Sequence, residues 1–156
     1  ADKVCINTGA LDDPKLISIG AQRYGAQAIS VAIDVVKEAA GTYHLYDHRR
    51  RRRVSGRAWK EWVSEVVDRG AGEIRLLPID REGARSGFDL KLYEYARALV
   101  AVPIVLEGGC GTLPQISEAF SSGVGAIALG TMLVFSDNNI VKIKSYLAGA
   151  NHPVRL

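Results

Sequence analysis

The sequence predicts an α/β fold built on a parallel β-sheet, and three observations lead to this prediction. Short runs rich in Val and Ile alternate along the chain with segments of helical periodicity. The strand-like runs are almost continuously apolar, which is typical of parallel strands covered on both faces. Each run ends in a polar or glycine-rich group. The 156 residues are 47% hydrophobic, which is sufficient for one domain with its own core.

Five strands are expected from the apolar runs, and each is followed by a helix. The strands cover residues 3–7, 28–36, 74–79, 103–106 and 125–129. The helices cover residues 14–24, 58–69, 90–99, 113–121 and 139–147. Asp13 is expected to cap the first helix with Pro14 at its first position, and Asp89 to cap the third. We therefore predict one domain over residues 1–156, made of five βα units.

Residues 36–57 interrupt this repeat and are predicted to form a hairpin or loop insert. Gly41 lies between two extended pieces, and the five arginines of residues 49–53 follow at the exit. Without these five, 15 Lys and Arg face 17 Asp and Glu, so the net charge of +3 comes from one local cluster. Such a cluster can bind phosphate or nucleic acid, or it can be a solvated, extended loop. We favour the loop and do not expect nucleic acid, because no aromatic residues are interleaved for base stacking.

Composition also limits the compartment and the chemistry. No apolar run approaches the roughly 20 residues of a membrane helix, and two cysteines make no disulfide framework, so we expect a cytoplasmic protein. Cys5 is expected in the core and Cys110 in a glycine loop, both with structural roles, since no His is placed to activate a thiol. The histidines lie in the insert and the tail. Metal-ligand spacing is absent, and no cofactor is predicted.

Five βα units permit two architectures. One is an open, doubly wound five-stranded sheet, and the other is part of a (βα)8 barrel of about 250 residues. Both place ligands at the carboxyl ends of the strands. The spacing of the elements alone does not choose between them.

The predicted strand ends carry the candidate chemistry. Gly108-Gly109 and then Gly130-Thr131 follow two successive strands, and glycine loops before a helix present N–H groups to a phosphate. Asp34 ends an apolar strand, where a carboxylate is costly unless it faces a cleft or a partner, so it is our catalytic candidate. Asp80 and Glu82 are weaker neighbours of the same site. The structural alternatives are an N-cap or an arginine partner for Asp34, and a turn role for Asp80.

At these residues the chain resembles a known family. The succession at residues 1–8, 31–34, 69–74 and 79–83 is similar to the cyclase subunit of imidazole glycerol phosphate synthase, and the resemblance covers residues 1–156. It implies a (βα)8 barrel and a bisphosphorylated aminoimidazole carboxamide ribonucleotide as the substrate. It also implies a glutaminase partner that supplies ammonia. The substrate reacts with this ammonia to give imidazole glycerol phosphate and an aminoimidazole carboxamide ribotide.

The resemblance assigns roles to individual residues. Asn7 and Thr8 match half of the site for one substrate phosphate. Asp34 matches one of two catalytic aspartates, acting as an acid or base at ring closure. Lys3 and Glu73 match charged residues that gate ammonia entry at the opposite end of the barrel. The site for the second phosphate is matched by Gly83, Gly108, Gly109, Gly130 and Thr131. The arginine-rich insert matches a mobile loop that covers the site.

The chain also departs from the family pattern. Three βα units that carry the other catalytic aspartate precede this segment in the family and are expected to be missing here. Glu107 stands where the family usually has Ser, Glu82 replaces Asp, and Gly130-Thr131 replaces an Ala-Ser pair. Some of these changes fit paralogues that work with an amidotransferase in surface-polysaccharide sugar synthesis.

Two functional hypotheses follow. The first is an ammonia-dependent cyclase, or its surface-sugar paralogue, that is inactive as this segment alone. The second is a non-catalytic, phosphate-binding or self-associating partial-barrel module. Because the edges of an open parallel sheet are apolar, we expect a homo-oligomer in either case.

Overall fold

The computed structural model describes residues 1–154 of the chain. The strands are β1 (Val4–Ile6), β2 (Ile29–Lys37), β3 (Tyr43–Asp47), β4 (Arg52–Arg53), β5 (Glu73–Pro78), β6 (Ile104–Leu106) and β7 (Ala126–Ile127). The α-helices are α1 (Thr8–Asp12), α2 (Lys15–Tyr24), α3 (Trp59–Asp68), α4 (Leu90–Arg97), α5 (Leu113–Ser121), α6 (Thr131–Val134) and α7 (Ile140–Gly149). A 3₁₀ helix covers Ala26–Ala28. None of the helices within residues 1–154 has the length and apolar character to cross a membrane.

Five parallel strands form the body of the sheet, side by side in the order β1, β2, β5, β6, β7. This is also their order along the chain. Each is followed by one or two helices before the next parallel strand begins. A doubly wound sheet reverses its strand order part-way, and the parallel strands described here show no such reversal. The α/β class with a mostly parallel sheet is confirmed.

The predicted insert is an antiparallel extension of β2. That strand is nine residues long, so its first half pairs with β1 and its last residues pair with β3 on the same side. β3 in turn pairs with the two-residue strand β4. The arginine cluster occupies the turn between β3 and β4 as well as β4 itself.

One face of the sheet is buried against the helices, and the other is not. Ile33, Leu76 and Leu106 point to the buried face and belong to the same hydrophobic core as Trp62 of α3. Along β5, these buried positions alternate with half-buried ones. The prediction of a sheet covered on both faces is therefore correct for one face only. We call the half-buried side the inner face.

Two local expectations need correction. Cys5 is exposed rather than in the core, because β1 pairs with β2 alone in the described residues and Cys5 points to the inner face. The helix expected over residues 14–24 is α2, which begins at Lys15, one residue after its expected start, with Pro14 at the cap position. Asp13 still accepts a hydrogen bond from the Lys15 amide at 3.1 Å. The capping role of Asp89 is confirmed, since its carboxylate accepts from the Leu92 amide at 3.1 Å.

Candidate functional site

The strand register places the charged side chains of the sheet on the inner face. Asp34 of β2 pairs with Leu77 of β5, and Arg75 pairs with Val105 of β6. Paired residues of neighbouring strands point to the same face. Glu107 lies two residues beyond Val105, so it extends the same row at the carboxyl end of β6. Two carboxylates and one guanidinium thus share one surface.

Asp34 is buried, with 3% of its surface exposed, and it has two polar partners. The Asn7 side-chain amide donates to Asp34 Oδ2 at 2.8 Å, and His48 Nε2 lies 3.6 Å from the same oxygen. Burial raises the pKa of the Asp34 carboxyl, while the Asn7 hydrogen bond and the charge of His48 act against that rise. A carboxyl with a raised pKa can exchange a proton closer to neutral pH than an ordinary aspartate.

His48 is a neighbour of Asp34 that the sequence did not reveal. It lies in the predicted insert, away from the predicted strand ends. The hairpin folds back along β2, however, and its far end returns to the carboxyl edge of the sheet. A long strand followed by an antiparallel partner is the signal that could have identified it. The arginine partner considered for Asp34 is not seen in the described residues, where the basic side chain beside it is this histidine.

The residues predicted to bind the second phosphate surround one cavity. Its volume is about 230 Å³, and it opens at the carboxyl ends of β5, β6 and β7. All five residues of the predicted second phosphate site line it: Gly83, Gly108, Gly109, Gly130 and Thr131. Within residues 1–154, the amides of the four glycines donate to no acceptor. Unused N–H groups that face a common cavity are suited to an anion.

Gly109 also has a structural reason to be glycine. Its φ is +90°, and a Cβ atom there would collide with the carbonyl oxygen of Gly87. The Gly87 amide donates to the Gly109 carbonyl at 2.8 Å, so the two loops are held in close contact. At Gly130, by contrast, an added Cβ would meet nothing within 4 Å. The cavity wall is therefore tightly packed at Gly109 and open at Gly130.

Three charged residues complete the lining of the cavity. Arg75 Nε donates to Glu107 Oε1 across the gap between β5 and β6. Glu82 stands at the mouth and is exposed. The sequence did not single out Arg75, because it lies inside a strand that was expected to be apolar throughout. Its strand position alone gives no sign that it faces a cavity.

The amino-acid sequence of the chain is similar to those of known proteins. A family model described as "Histidine biosynthesis protein" matches residues 1–139. The chain belongs to this histidine biosynthesis family. It is 40% identical over 155 residues to the imidazole glycerol phosphate synthase subunit HisF of Gluconacetobacter diazotrophicus, covering 99% of this chain and 60% of that protein. It is 38% identical over 156 residues to the HisF subunit of a Thermotoga species, covering 100% and 61%.

The HisF subunit of Streptococcus sanguinis is similar in the same way, with 38% identity over 158 residues, covering 100% of this chain and 62% of the relative. The chain therefore spans about 60% of the length of these relatives. The resemblance read from the sequence is confirmed at the level of the family.

In this family member, the remaining predicted residues lie apart from the cavity. Asp80 accepts a hydrogen bond from the Lys37 amide at 3.1 Å and so holds the end of β2, which agrees with its structural alternative. Thr8 begins α1 beside Asn7, at the end of β1. Neither residue lines the glycine cavity. The Asn7-Thr8 pair and the glycine cavity are thus two separate polar places on one edge of the sheet.

Lys3 and Glu73 meet at the amino end of the sheet. Lys3 Nζ donates to Glu73 Oε2 at 2.6 Å, and the pair is solvent-exposed. The structure brings these two residues together, although 70 positions separate them in sequence. Their location opposite the cavity agrees with the position that the resemblance implies.

Three arginines of the cluster form ion pairs with acidic side chains. Arg49 and Arg50 both contact the carboxylate of Asp12, with Arg50 Nη1 donating to Oδ1 at 2.8 Å. Arg50 Nη1 also donates to Asp47 at 2.5 Å, and Arg53 pairs with Glu38. The Arg50 hydrogen bond lowers the pKa of Asp12. The five arginine side chains are exposed, as expected for a solvated loop, but acidic partners pair with three of them.

The remaining candidates for reactivity have structural surroundings. Cys110 is buried beside Met132, and burial raises the pKa of its thiol to about 11. A thiol with that pKa is protonated near neutral pH and is a weak nucleophile. No group of three His, Cys, Asp or Glu side chains that could hold a metal ion is found within residues 1–154.

Proposed function

We propose that this chain contributes the Asp34 half of an ammonia-dependent cyclase active site of the imidazole glycerol phosphate synthase kind. The observation that carries the proposal is the convergence of a buried Asn7–Asp34 pair and a glycine-lined cavity on one edge of a parallel sheet. The five βα units would then be consecutive units of a (βα)8 barrel. The sequential strand order and the helices on a single face support that architecture.

In this proposal, the substrate is a ribonucleotide with a phosphate at each end. Asn7 and Thr8 at the end of β1 bind one phosphate, and the glycine cavity between β5 and β7 binds the other. Three strand-to-strand steps separate β1 from β6, which corresponds to about 14 Å at 4.8 Å a step. A long substrate with two phosphoryl groups spans such a distance, whereas a single phosphate occupies only one place.

Asp34 lies between the two phosphate places, so it faces the middle of the bound substrate. Its raised pKa supports a role in accepting or donating the proton that moves when the imidazole ring closes. Asn7 would act as a positioning residue, because its amide holds Oδ2 at 2.8 Å. The nitrogen that enters the ring comes from ammonia.

Catalysis is proposed to need barrel units outside this sequence, since the family's other catalytic aspartate has no counterpart here. We expect no turnover by this chain alone. Turnover with ammonium salts is expected when a polypeptide supplies the three preceding βα units. Asp34→Asn should lower that turnover by at least about 100-fold. Asp137→Asn, an exposed position outside the site, is the matched control. Unchanged turnover in Asp34→Asn would overturn the assigned role.

A non-catalytic phosphate-binding module would give a different result in the same experiment. It would bind a bisphosphorylated analogue in calorimetry and still show no turnover when the other barrel units are present. The surface-sugar paralogue would turn over a different acceptor with the same ammonia requirement. The family membership favours the histidine-pathway substrate.

The ammonia is proposed to come from a glutaminase subunit at the amino end of the strands. The exposed Lys3–Glu73 pair supports this location, because two charges that lock and release can control passage at the end of a barrel. Lys3→Met should therefore change the ratio of glutamine-dependent to ammonium-dependent turnover. An unchanged ratio would contradict the gate.

Self-association of the chain is also part of the proposal. Val4 on the edge strand is 52% exposed, and Phe135 after α6 is 70% exposed. Covering such apolar residues favours association of two copies through their sheet edges. Light scattering at micromolar concentration should therefore give a mass above 16.9 kDa. A sharp monomer peak would contradict self-association.

A further inference from the structure

We propose that Arg75 is the cationic ligand of the phosphoryl group in the glycine cavity, and that Glu107 fixes the position of its guanidinium. The inference rests on the proposed function in one respect, namely that the cavity is an anion site. It adds a residue to that site and explains a carboxylate that otherwise opposes phosphate binding. The ligand class is a phosphate monoester.

Arg75 lies where such a ligand is needed. It lines the same cavity as the glycine loops, and it is the one cationic side chain among the described lining residues. The other charged lining residues are Glu82 and Glu107. Glycine amides alone would have to hold a dianion against two carboxylates. A cation in the lining changes that balance.

The guanidinium has donors that no carboxylate uses, although the Cys5 side chain is also in hydrogen-bonding contact with it. Arginine carries five N–H donors in a planar fork that matches two oxygens of a phosphate. Only Nε makes an ion pair with a carboxylate within residues 1–154, and its partner is Glu107. The four donors of Nη1 and Nη2 are not engaged by any carboxylate there. Because 40% of the side chain is exposed, these donors remain accessible from the cavity.

This arrangement explains the presence of the Glu107 carboxylate beside the phosphate loop. Alone beside a phosphate loop, its carboxylate would repel a dianion at short range. Paired with Arg75, it neutralises part of the charge and anchors the flexible arginine side chain in one place. Pre-ordering a side chain reduces the entropy lost when a ligand binds. Glu82 needs no such partner, because solvent screens an exposed carboxylate at the mouth.

Phosphate affinities of a small set of variants test the assignment. Inorganic phosphate is titrated calorimetrically into the unaltered chain and into Arg75→Leu, Glu107→Gln and the double variant. Arg75→Leu should weaken binding at least about tenfold, because it removes a ligand and exposes the Glu107 charge. Glu107→Gln keeps an oxygen that can accept from Arg75 Nε but removes the negative charge, so it should bind phosphate several-fold tighter. The double variant should bind clearly more weakly than Glu107→Gln, since the arginine ligand is gone.

Two further variants keep the test independent of folding defects. Arg23→Leu removes an equal charge from exposed α2, away from the cavity, and should leave the affinity unchanged. Arg75→Lys retains the charge and most of the volume but loses the fork, so its affinity should fall between those of the unaltered chain and Arg75→Leu. Far-ultraviolet circular dichroism confirms that each variant is folded.

The possible outcomes separate the two levels of the proposal. Equal affinity in Glu107→Gln and the double variant would show that Arg75 only offsets Glu107, and would overturn its role as a ligand. Equal affinity in Arg75→Leu and the unaltered chain would overturn the assignment outright while leaving the anion site in place. Absence of phosphate binding in the unaltered chain would overturn both the anion site and the role of Arg75.

Discussion

Asn7 donates its side-chain amide to Asp34 at 2.8 Å, across the carboxyl ends of two neighbouring parallel strands. This bond holds a buried carboxylate oxygen toward the inner face, where the glycine cavity opens two strands further along. It links the residue proposed for chemistry to the one proposed for phosphate binding at β1. Four predictions follow from this arrangement and from the contacts around it.

Asp34→Asn should raise thermal stability at pH 7. Burial raises the pKa of Asp34 above 3.8, so keeping it charged in the folded state costs free energy. The contribution of Asp34 to the free energy of unfolding is fully present below the pKa that its carboxyl has in the unfolded chain. It is lost as the pH rises through the higher pKa of the folded state. The gain in Tm from Asp34→Asn should therefore be larger at pH 7 than at pH 4. Thermal unfolding by circular dichroism measures it, with Asp137→Asn as the control. A gain that is equal at both pH values would contradict the cost of burial.

His48→Ala should raise the pKa of Asp34 further. When it is protonated, His48 carries a positive charge 3.6 Å from Oδ2 that opposes the effect of burial on that carboxyl. Carboxyl ¹³C chemical shifts followed against pH measure the change directly. His44→Ala is the matched control, because His44 lies next to Glu38 instead. An unchanged Asp34 titration in His48→Ala would show that the two side chains are not coupled in solution.

Arg50→Gln should loosen the turn between β3 and β4. Arg50 joins Asp12 and Asp47, so its removal frees the turn from both carboxylates. Amide hydrogen exchange in residues 47–54 should therefore accelerate. Arg51→Gln makes the same substitution at a neighbouring exposed residue without an ion pair in the described contacts, and should change the exchange little. Equal acceleration in both variants would contradict the anchoring role of Arg50.

Gly109→Ala and Gly130→Ala should differ in their effect on stability. The first places a Cβ against the Gly87 carbonyl at a φ of +90°, so it should lower the free energy of unfolding by about 1–3 kcal/mol. The second meets no atom within 4 Å and introduces the residue that the family pattern has at this position, so it should leave both stability and phosphate binding unchanged. Chemical denaturation and calorimetry measure the two effects. Loss of stability in Gly130→Ala would contradict an open cavity at that position.

The element order and the meeting of the glycine loops could be predicted from the sequence. Parallel strands place all their carboxyl ends at one edge, so residues such as Gly108 and Thr131 converge once the strands are recognised. The Arg50–Asp12 pair could not be predicted, because 38 residues separate its members. Cys5 was misplaced since an apolar strand at a sheet edge resembles a buried one. Arg75 was missed because a strand position does not reveal which face is open.

Phosphorus NMR of the bisphosphorylated aminoimidazole carboxamide ribonucleotide, titrated with this chain, tests the central claim most directly. The account predicts that both phosphoryl resonances shift on binding. Thr131→Ala should remove the shift of one resonance, and Asn7→Ala should reduce that of the other. A titration in which neither resonance shifts, or in which both variants affect the same one, would contradict a site built from two separate phosphate places on one edge of the sheet.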